Sequence, residues 1–313
     1  MRRSFLFKEK KMKYAEWLNE WLEYYVKPTK KERTYYKYCS IVINHLSGAL
    51  GNYGLDELTA PVLQRFVAGL TNKYSSNTVM GVIAVIKNSL SQAQDTGVVD
   101  KQYSAAIRRP KSVERKVECF TVSEQKAIEK YVKDRKKDKL FGVVLCLYTG
   151  LRLGELLALE WDDIDLAERT IRVSKSCFDG WENRQYRKIV GEPKTDSSRR
   201  IIPYPRQLSP WLKALKKRSE SKRFISGEKG EEVSVRSYQK SFELLLRKLK
   251  IPRRGIHSLR HTFATRALEC GMDVRTLSEI LGHKNPTVTL KRYAHSLMEH
   301  KCAMMNKLGK IFL

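Results

Sequence analysis

The sequence predicts a mainly α protein with one small antiparallel sheet, built as an N-terminal helical bundle followed by a larger α/β domain. Three observations carry this. Apolar residues recur at helical spacing through the first third of the chain. A charge-rich segment with few apolar residues, "IRRPKSVERK" at 107–116, interrupts that pattern. Beyond it, helical stretches flank a run of short β-type segments separated by polar turn residues. The expected boundaries are 1–106 for the bundle, 107–116 for a basic linker and 117–313 for the second domain.

In "YAEWLNEWLEYY", Tyr14, Trp17, Leu18, Trp21, Leu22 and Tyr25 fall on one helical stripe. A second helix is expected from about Lys30 to Leu46 through Tyr35, Tyr38, Ile41 and Val42. Thr59, with Pro61 just inside, marks the start of a third over "APVLQRFVAGL". A fourth runs from about Ser76 to Thr96 and ends at Gly97, where a left-handed cap is wanted. These stripes read as core, which leaves the basic positions Lys27, Lys30, Lys31, Arg33 and Lys37 as the functional surface. In the linker, Pro110 discourages helix on its N-terminal side. Its basic residues Arg108, Arg109, Lys111, Arg115 and Lys116 suit a passing polyanion, and equally suit a solvated linker with no ligand.

After the linker, Thr121 and Glu124 have the spacing of a capping box. The apolar helix "LFGVVLCLYTG" ends at Gly150, and "LRLGELLALEW" begins another almost at once. "RTIRVSKS", "NRQYRKIVG" and "RRIIPYP" then supply the strands of the small sheet. From about Ser209 the periodicity is helical again to the end.

Composition narrows the function classes. The 313 residues carry 61 Lys+Arg against 34 Asp+Glu, a formal net charge of +27. That excess on an ordinary globular composition points to a polyanionic partner, nucleic acid foremost. The longest clean apolar run, "FGVVLCLY" at 141–148, is far short of the roughly 20 residues a spanning helix needs. "MRRSFLFKEKK" does not read as a signal peptide, because its apolar part is short and charge resumes at once. Six cysteines, with no CxxC pair, read as reduced thiols of a cytoplasmic protein.

Several residues have the chemistry of a site. Arg152 sits at a predicted helix start, where free N–H groups and the helix dipole favour an anion and a guanidinium would grip a phosphate through two oxygens. Arg152 equally reads as a surface arginine with Glu155 as its first-turn dipole partner. In "GIHSLRHTFATRALECG", His257, Arg260 and His261 share one helix face. Zinc is a poor occupant there, because the HExxH glutamate is missing and two arginines would repel a cation. His283 lies in a glycine-marked turn of "LGHKNPTVTLKRY", and Asn285 and Pro286 start the helix that carries Tyr293. Alone, such a histidine is usually a structural hydrogen bonder, and such a tyrosine is usually core.

In order and spacing together, "TGLRLGE", "EPKTDSSRR", "HSLRHTFAT" and "LGHKNPTVTLKRYAH" resemble the tyrosine recombinase, or phage integrase, family. The chain is most like integrases of phages and of integrative or conjugative transposons. The resemblance spans essentially the whole second domain, and the first domain resembles the family's SAM-like core-binding bundle. It implies site-specific DNA recombination through a 3′-phosphotyrosyl intermediate, with double-stranded DNA bearing specific crossover sites as substrate. Residue by residue it implies Arg152 and Arg260 as the phosphate clamp, Tyr293 as nucleophile and Lys194 as the acid for the leaving 5′-oxygen. His257 would move protons, His283 would hydrogen-bond the phosphate, and Glu155 would brace the site. Lys188 competes with Lys194, since both lie near the predicted hairpin and Arg199 and Arg200 follow. Lys175, Lys240, Arg253 and Arg254 read as phosphate contacts away from the reaction.

Two arginines are a plausible substitute for a metal ion, since one arginine contributes about 10³–10⁵ in rate in other phosphoryl transfers. Neither metal nor other cofactor is expected: there is no Walker-type sequence, and the "WDDID" cluster at 161–165 is compact and next to a helix end. The apolar tail "CAMMNKLGKIFL" suits docking on a neighbour, as in the family, or on its own domain. The resemblance implies self-association into a tetramer on DNA, an excisionase or host DNA-bending protein as further partner, no membrane, and a cytoplasmic, nucleoid-associated bacterial setting. Many mobile-element integrases carry a further N-terminal arm-binding domain. Its absence here implies either a simpler recombinase or a shortened chain. The competing functions are a replicon-dimer resolvase, a type IB topoisomerase-like enzyme and a catalytically silent DNA-binding regulator.

Overall fold

The computed structural model describes residues 12–101, 104–109, 118–134, 138–182, 185–191, 199–227, 230–283, 285, 287, 302 and 305–310. The chain forms two compact units, Met1–Arg115 and Lys116–Leu313. No helix among the described residues is long and apolar enough to cross a membrane.

The first unit is helical. α1 (Tyr14–Glu20) runs into a wide π-type turn over Trp21–Val26, and α2 (Glu32–Ile41) into another over Val42–Leu46. Each was expected as one continuous α-helix. Such turns carry one more residue per hydrogen-bonded ring, so they re-aim the stripe without breaking the rod. α3 (Ser47–Leu50), α4 (Ala60–Thr71) and α5 (Ser76–Asp95) complete the unit. Tyr14, Trp17, Leu18, Trp21 and Leu22 are buried as the stripe predicts, each large apolar side chain contributing about 1.5–3 kcal/mol. Their polar ends are satisfied on α5: the Tyr14 hydroxyl lies 2.8 Å from Ser89 Oγ, and Trp17 Nε1 donates to Ser89 O at 2.8 Å. α4 starts after Thr59, whose side chain makes no capping bond, so Pro61 in the first turn is the effective start signal.

The second unit contains α6 (Val122–Asp134), α7 (Phe141–Thr149), α8 (Leu153–Ala158), β1 (Ile164–Asp165), β2 (Thr170–Val173), β3 (Ser176–Glu182), β4 (Gln185–Gly191), β5 (Arg200–Pro203), α9 (Ser209–Arg218), α10 (Val235–Lys248), α11 (His257–Glu269) and α12 (Val274–Leu281). The capping box is present: Thr121 N–H donates to Glu124 Oε2 at 2.8 Å, and Glu124 N–H to Thr121 Oγ1 at 3.2 Å. α7 is buried almost all round, which explains an apolar run with no polar face.

Instead of one sheet there are two among the described residues, one of three antiparallel strands in the order β1-β2-β5 and a separate β3-β4 hairpin. Leaving β2, the chain makes the hairpin and returns as β5, pairing Ile171 with Ile202. The hairpin docks elsewhere. Asp179 accepts the backbone N–H groups of Val235 and Arg236 at the start of α10, both at 2.9 Å. α8 packs so close to β3 that a Cβ on Gly154 would stand 2.4 Å from Cys177 O.

Candidate functional site

The site is assembled around the end of α12. Gly282 terminates the helix at φ +64°, its N–H donating to Glu279 O and that of His283 to Ser278 O, both at 3.0 Å. This paired closure fixes the backbone of His283 but leaves the carbonyls of residues 280–282 without helical partners. Three guanidinium groups take them. Arg200 Nε donates to Ile280 O at 2.6 Å, Arg260 Nη2 to Leu281 O at 2.6 Å and Arg152 Nη2 to Gly282 O at 3.1 Å. The negative end of the helix dipole lies here, so cations are favoured.

Arg152 precedes α8, and Gly150 makes that placement feasible by ending α7 at φ +66°. The Arg152 N–H donates to Glu155 Oε2 at 2.9 Å and its Nη1 to Oε1 at 2.7 Å. Its side chain is 34% exposed, so one end is open to solvent. Arg260, on α11, is 2% exposed. Besides Leu281 O it donates to Gly150 O at 2.8 Å, and its Nη2 lies 2.9 Å from His283 Nε2. Since arginine only donates, that imidazole nitrogen is the acceptor of the pair.

Glu155 is buried, and its carboxylate meets two arginines: Arg200 Nη1 and Nη2 donate to Oε1 and Oε2 at 3.1 and 2.9 Å. Burial pushes its pKa up, but the Arg200 hydrogen bonds and charge, with the Arg152 charge and N–H, outweigh this and hold the carboxyl below its ordinary value. With three arginines and one glutamate, the cluster has a net positive charge of two, facing a partly open arginine. Such a place suits a phosphodiester.

Arg152, Glu155, Arg260 and His283 are thus brought together. His257 lies at the exposed start of α11, its ring edge-on to that of buried His261 at 4.7 Å. Lys194 and Tyr293 lie outside the described residues, as do Lys111, Arg115 and Lys116. Lys188, the competitor of Lys194, has a side chain only 2% exposed, its Nζ donating to Leu157 O at 3.0 Å and lying 3.3 Å from Glu232 Oε1.

The basic surface positions divide by environment. Lys27, Lys30 and Lys31, between the first π-type turn and α2, and Arg33 and Lys37, on α2, are exposed, with Lys27 paired to Glu23. Arg108 and Arg109 are exposed further on in the same unit. In the second unit Lys240 is exposed, Lys175 pairs with Glu160 at 2.9 Å and Arg253 with Glu243 at 2.7 Å. Arg254 is mostly buried, 2.8 Å from Glu124 and 4.9 Å above the Phe120 ring. Among the described residues no group of three or more His, Cys, Asp or Glu could hold a metal ion.

Sequence reasoning gave no role to Arg200. The usable signal was strand alternation, since Arg200 and buried Ile202 share one face of β5 while Ile201 is exposed.

Comparison with known proteins shows the family and the fold. Residues 118–300 match the phage integrase family, and residues 13–71 match its N-terminal SAM-like domain. A tyrosine recombinase XerC-like protein of Caldanaerobacter subterraneus is 28% identical over 95% of this chain and 82% of its own length. The ICEBs1 integrase of Bacillus subtilis is 29% identical over 88% of this chain and 78% of its own. Against the transposase of Tn916 from Enterococcus faecalis the identity is 28%, and this chain spans about half (51%) of that protein's length. Among solved structures, the Tn1549 transposon integrase in complex with transposon right end DNA superposes with a TM-score of 0.75. It is 21% identical, covering 95% of this chain and 100% of that one, and so shares the fold.

Proposed function

The chain belongs to the phage integrase family, and from that premise we propose that it is a site-specific DNA recombinase that integrates and excises a mobile element. The observation that carries the reading is the convergence of Arg152 and Arg260, distant in sequence, on adjacent carbonyls of the α12 end beside His283. Relatives named as an integrase of ICEBs1 and a transposase of Tn916 support the mobile-element role.

In the proposed reaction Arg152 and Arg260 hold the non-bridging oxygens of the scissile phosphate. Fixed cationic donors in a site held away from water stabilise the charge that gathers there in the transition state. Tyr293 attacks the phosphorus, the bond to the 5′-oxygen breaks, and a 3′-phosphotyrosyl link forms. With a pKa of about 10, only about one phenol in a thousand is ionised at neutral pH, so a base must assist. His257 takes that part, and Lys194 returns a proton to the leaving 5′-oxygen. Lys188 suits the acid role poorly, because its ammonium is sequestered between a carbonyl and Glu232. Attack by the 5′-hydroxyl of another duplex reverses the chemistry and seals the new joint, so no external energy source is required.

His283 braces the Arg260 guanidinium and hydrogen-bonds the phosphate, and Glu155 orients Arg152. The exposed cations of the first unit and the surface cations of the second contact phosphates away from the reaction, setting affinity without reading sequence. The partner is double-stranded DNA, on which the protein assembles as a tetramer. Solved structures of the lambda integrase, one a dimer on a core site and one a tetramer on a Holliday junction, support assembly on DNA. The proposed setting is the bacterial nucleoid.

The test is covalent capture. A pool of nicked duplexes with a randomised core is incubated with the protein, and denaturant-resistant adducts are isolated and sequenced. The parent protein is expected to form adducts on a defined sequence and Tyr293→Phe to form none. Equal adduct from both proteins sinks the proposal.

A further inference from the structure

We propose that Arg200 is a positioning residue for strand cleavage: by gripping both oxygens of Glu155 and the carbonyl of Ile280, it sets where Arg152 and the α12 end stand relative to the phosphate. The inference rests on the recombinase reading above.

Arg200 opens β5, yet its side chain turns into the second unit and is 7% exposed. From there it joins three elements. Two of its nitrogens hold the Glu155 carboxylate on α8, at 3.1 and 2.9 Å, and the third holds Ile280 O on α12, at 2.6 Å. No other side chain in the cluster spans α8 and α12 from the sheet. The α12 end closes tightly over it: a Cβ on Gly282 would stand 3.0 Å from Arg200 Nη1 and 3.1 Å from its Cδ. Glycine is thus suited to residue 282 twice, for its left-handed backbone and for the guanidinium beneath it.

Charge sharpens the role. With Arg200 present, the Glu155 carboxylate is shared, and Arg152 needs to spend only one guanidinium nitrogen on it. Without Arg200, Arg152 becomes the sole cation among the described residues in contact with a buried carboxylate and is drawn towards it, away from an incoming phosphate. A lysine restores the charge but not the geometry, because one ammonium cannot present the planar fork that reaches two carboxylate oxygens and a carbonyl together.

The experiment uses the full chain and nicked duplexes selected by covalent capture on the parent protein. Duplex affinity and the single-turnover rate of adduct formation are measured for the parent, Arg200→Lys, Glu155→Gln and the double variant. Arg200→Lys is expected to keep duplex affinity while its adduct rate at saturating DNA falls about 10²-fold, the loss typical of a small misplacement of catalytic groups. Glu155→Gln is expected to slow the same step. The double variant is expected to be no slower than Arg200→Lys, because both changes release one contact.

A parental rate in Arg200→Lys, a loss confined to affinity, or losses that multiply in the double variant each overturn the proposal. Should Arg200→Lys not melt cooperatively, Glu155→Gln decides: slow cleavage with intact affinity supports the proposal, and parental cleavage overturns it. If the parent itself forms no adduct with any duplex in the pool, the recombinase reading fails and this one with it.

Discussion

Arg152 and Arg260 donate to the carbonyls of adjacent residues, Gly282 and Leu281, yet the first is 34% exposed at its side chain and the second is 2% exposed. Their alanine variants should therefore separate catalysis from stability in different ways. Both are expected to retain duplex binding and lose most cleavage. Arg260→Ala strands the buried acceptors at Gly150 and Leu281 and the half-buried one at His283, and should cost about 2–4 kcal/mol in urea unfolding. Arg152→Ala should cost clearly less. Equal destabilisation by the two contradicts the burial difference.

Glu155 gives a pH dependence with a defined sign. Its folded pKa lies below the ordinary value, since the two arginines outweigh burial. Its contribution to stability is then complete above the unfolded pKa of about 4.3 and is lost as pH falls through the lower folded value. The stability gap between the parent and Glu155→Gln should be flat from pH 7 to about 5 and narrow below about 4.3. A gap that widens on acidification shows the sign to be wrong.

The two lysines are separable by leaving-group chemistry. On ordinary DNA, Lys194→Ala should cleave slowly, because the departing 5′-alkoxide needs a proton. On DNA whose 5′-bridging oxygen is replaced by sulfur it should recover, since a thiolate with a pKa near 8.5 departs unaided. Lys188→Ala should instead lower the melting temperature, having lost a buried contact to Leu157 O while Glu232 keeps its pair with Arg223 at 3.0 Å. Recovery by Lys188→Ala on the sulfur substrate, and none by Lys194→Ala, reverses the assignment.

Two left-handed glycines should respond differently to alanine. Gly97 has φ +73° and open space around its missing Cβ, whereas Gly150 has φ +66° and a Cβ there would stand 2.5 Å from Phe263. The backbone term, about 1–2 kcal/mol, is common to both. Only Gly150→Ala adds a clash at the turn leading to Arg152, so thermal melts should rank it well below Gly97→Ala.

The first unit's exposed cations are testable through salt. If Lys30 and Lys37 each neutralise one phosphate, the double alanine variant should reduce the slope of log affinity against log salt by about 2. Affinity should fall by the same factor on all duplex sequences. A change of sequence preference points to base contacts instead.

Much of this was legible in the sequence for identifiable reasons. Arg152, His257, Arg260, His283 and Tyr293 stand in short motifs whose order and spacing carry chemical meaning. The helical stripes were clear because Trp17, Leu18, Trp21 and Leu22 recur at one angle. β3 was not read as a strand, since Asp179 and Gly180 interrupt its apolar character, and the separate hairpin was missed with it. Without that hairpin, the burial of Lys188 beside Glu232 was invisible. Arg200 was hidden in a basic run, and its partners Glu155 and Ile280 lie far away in sequence.

The acceptors that organise the cluster are peptide carbonyls at Ile280, Leu281 and Gly282. No side-chain substitution can delete a carbonyl. Exchanges on the outer face of α12 therefore leave the seat of the three guanidinium groups intact, provided the helix still ends at glycine. Exchange can therefore run freely along the outer face of that helix while the arrangement beneath it persists, and randomising the exposed positions Arg275, Thr276 and Glu279 should yield mostly active proteins.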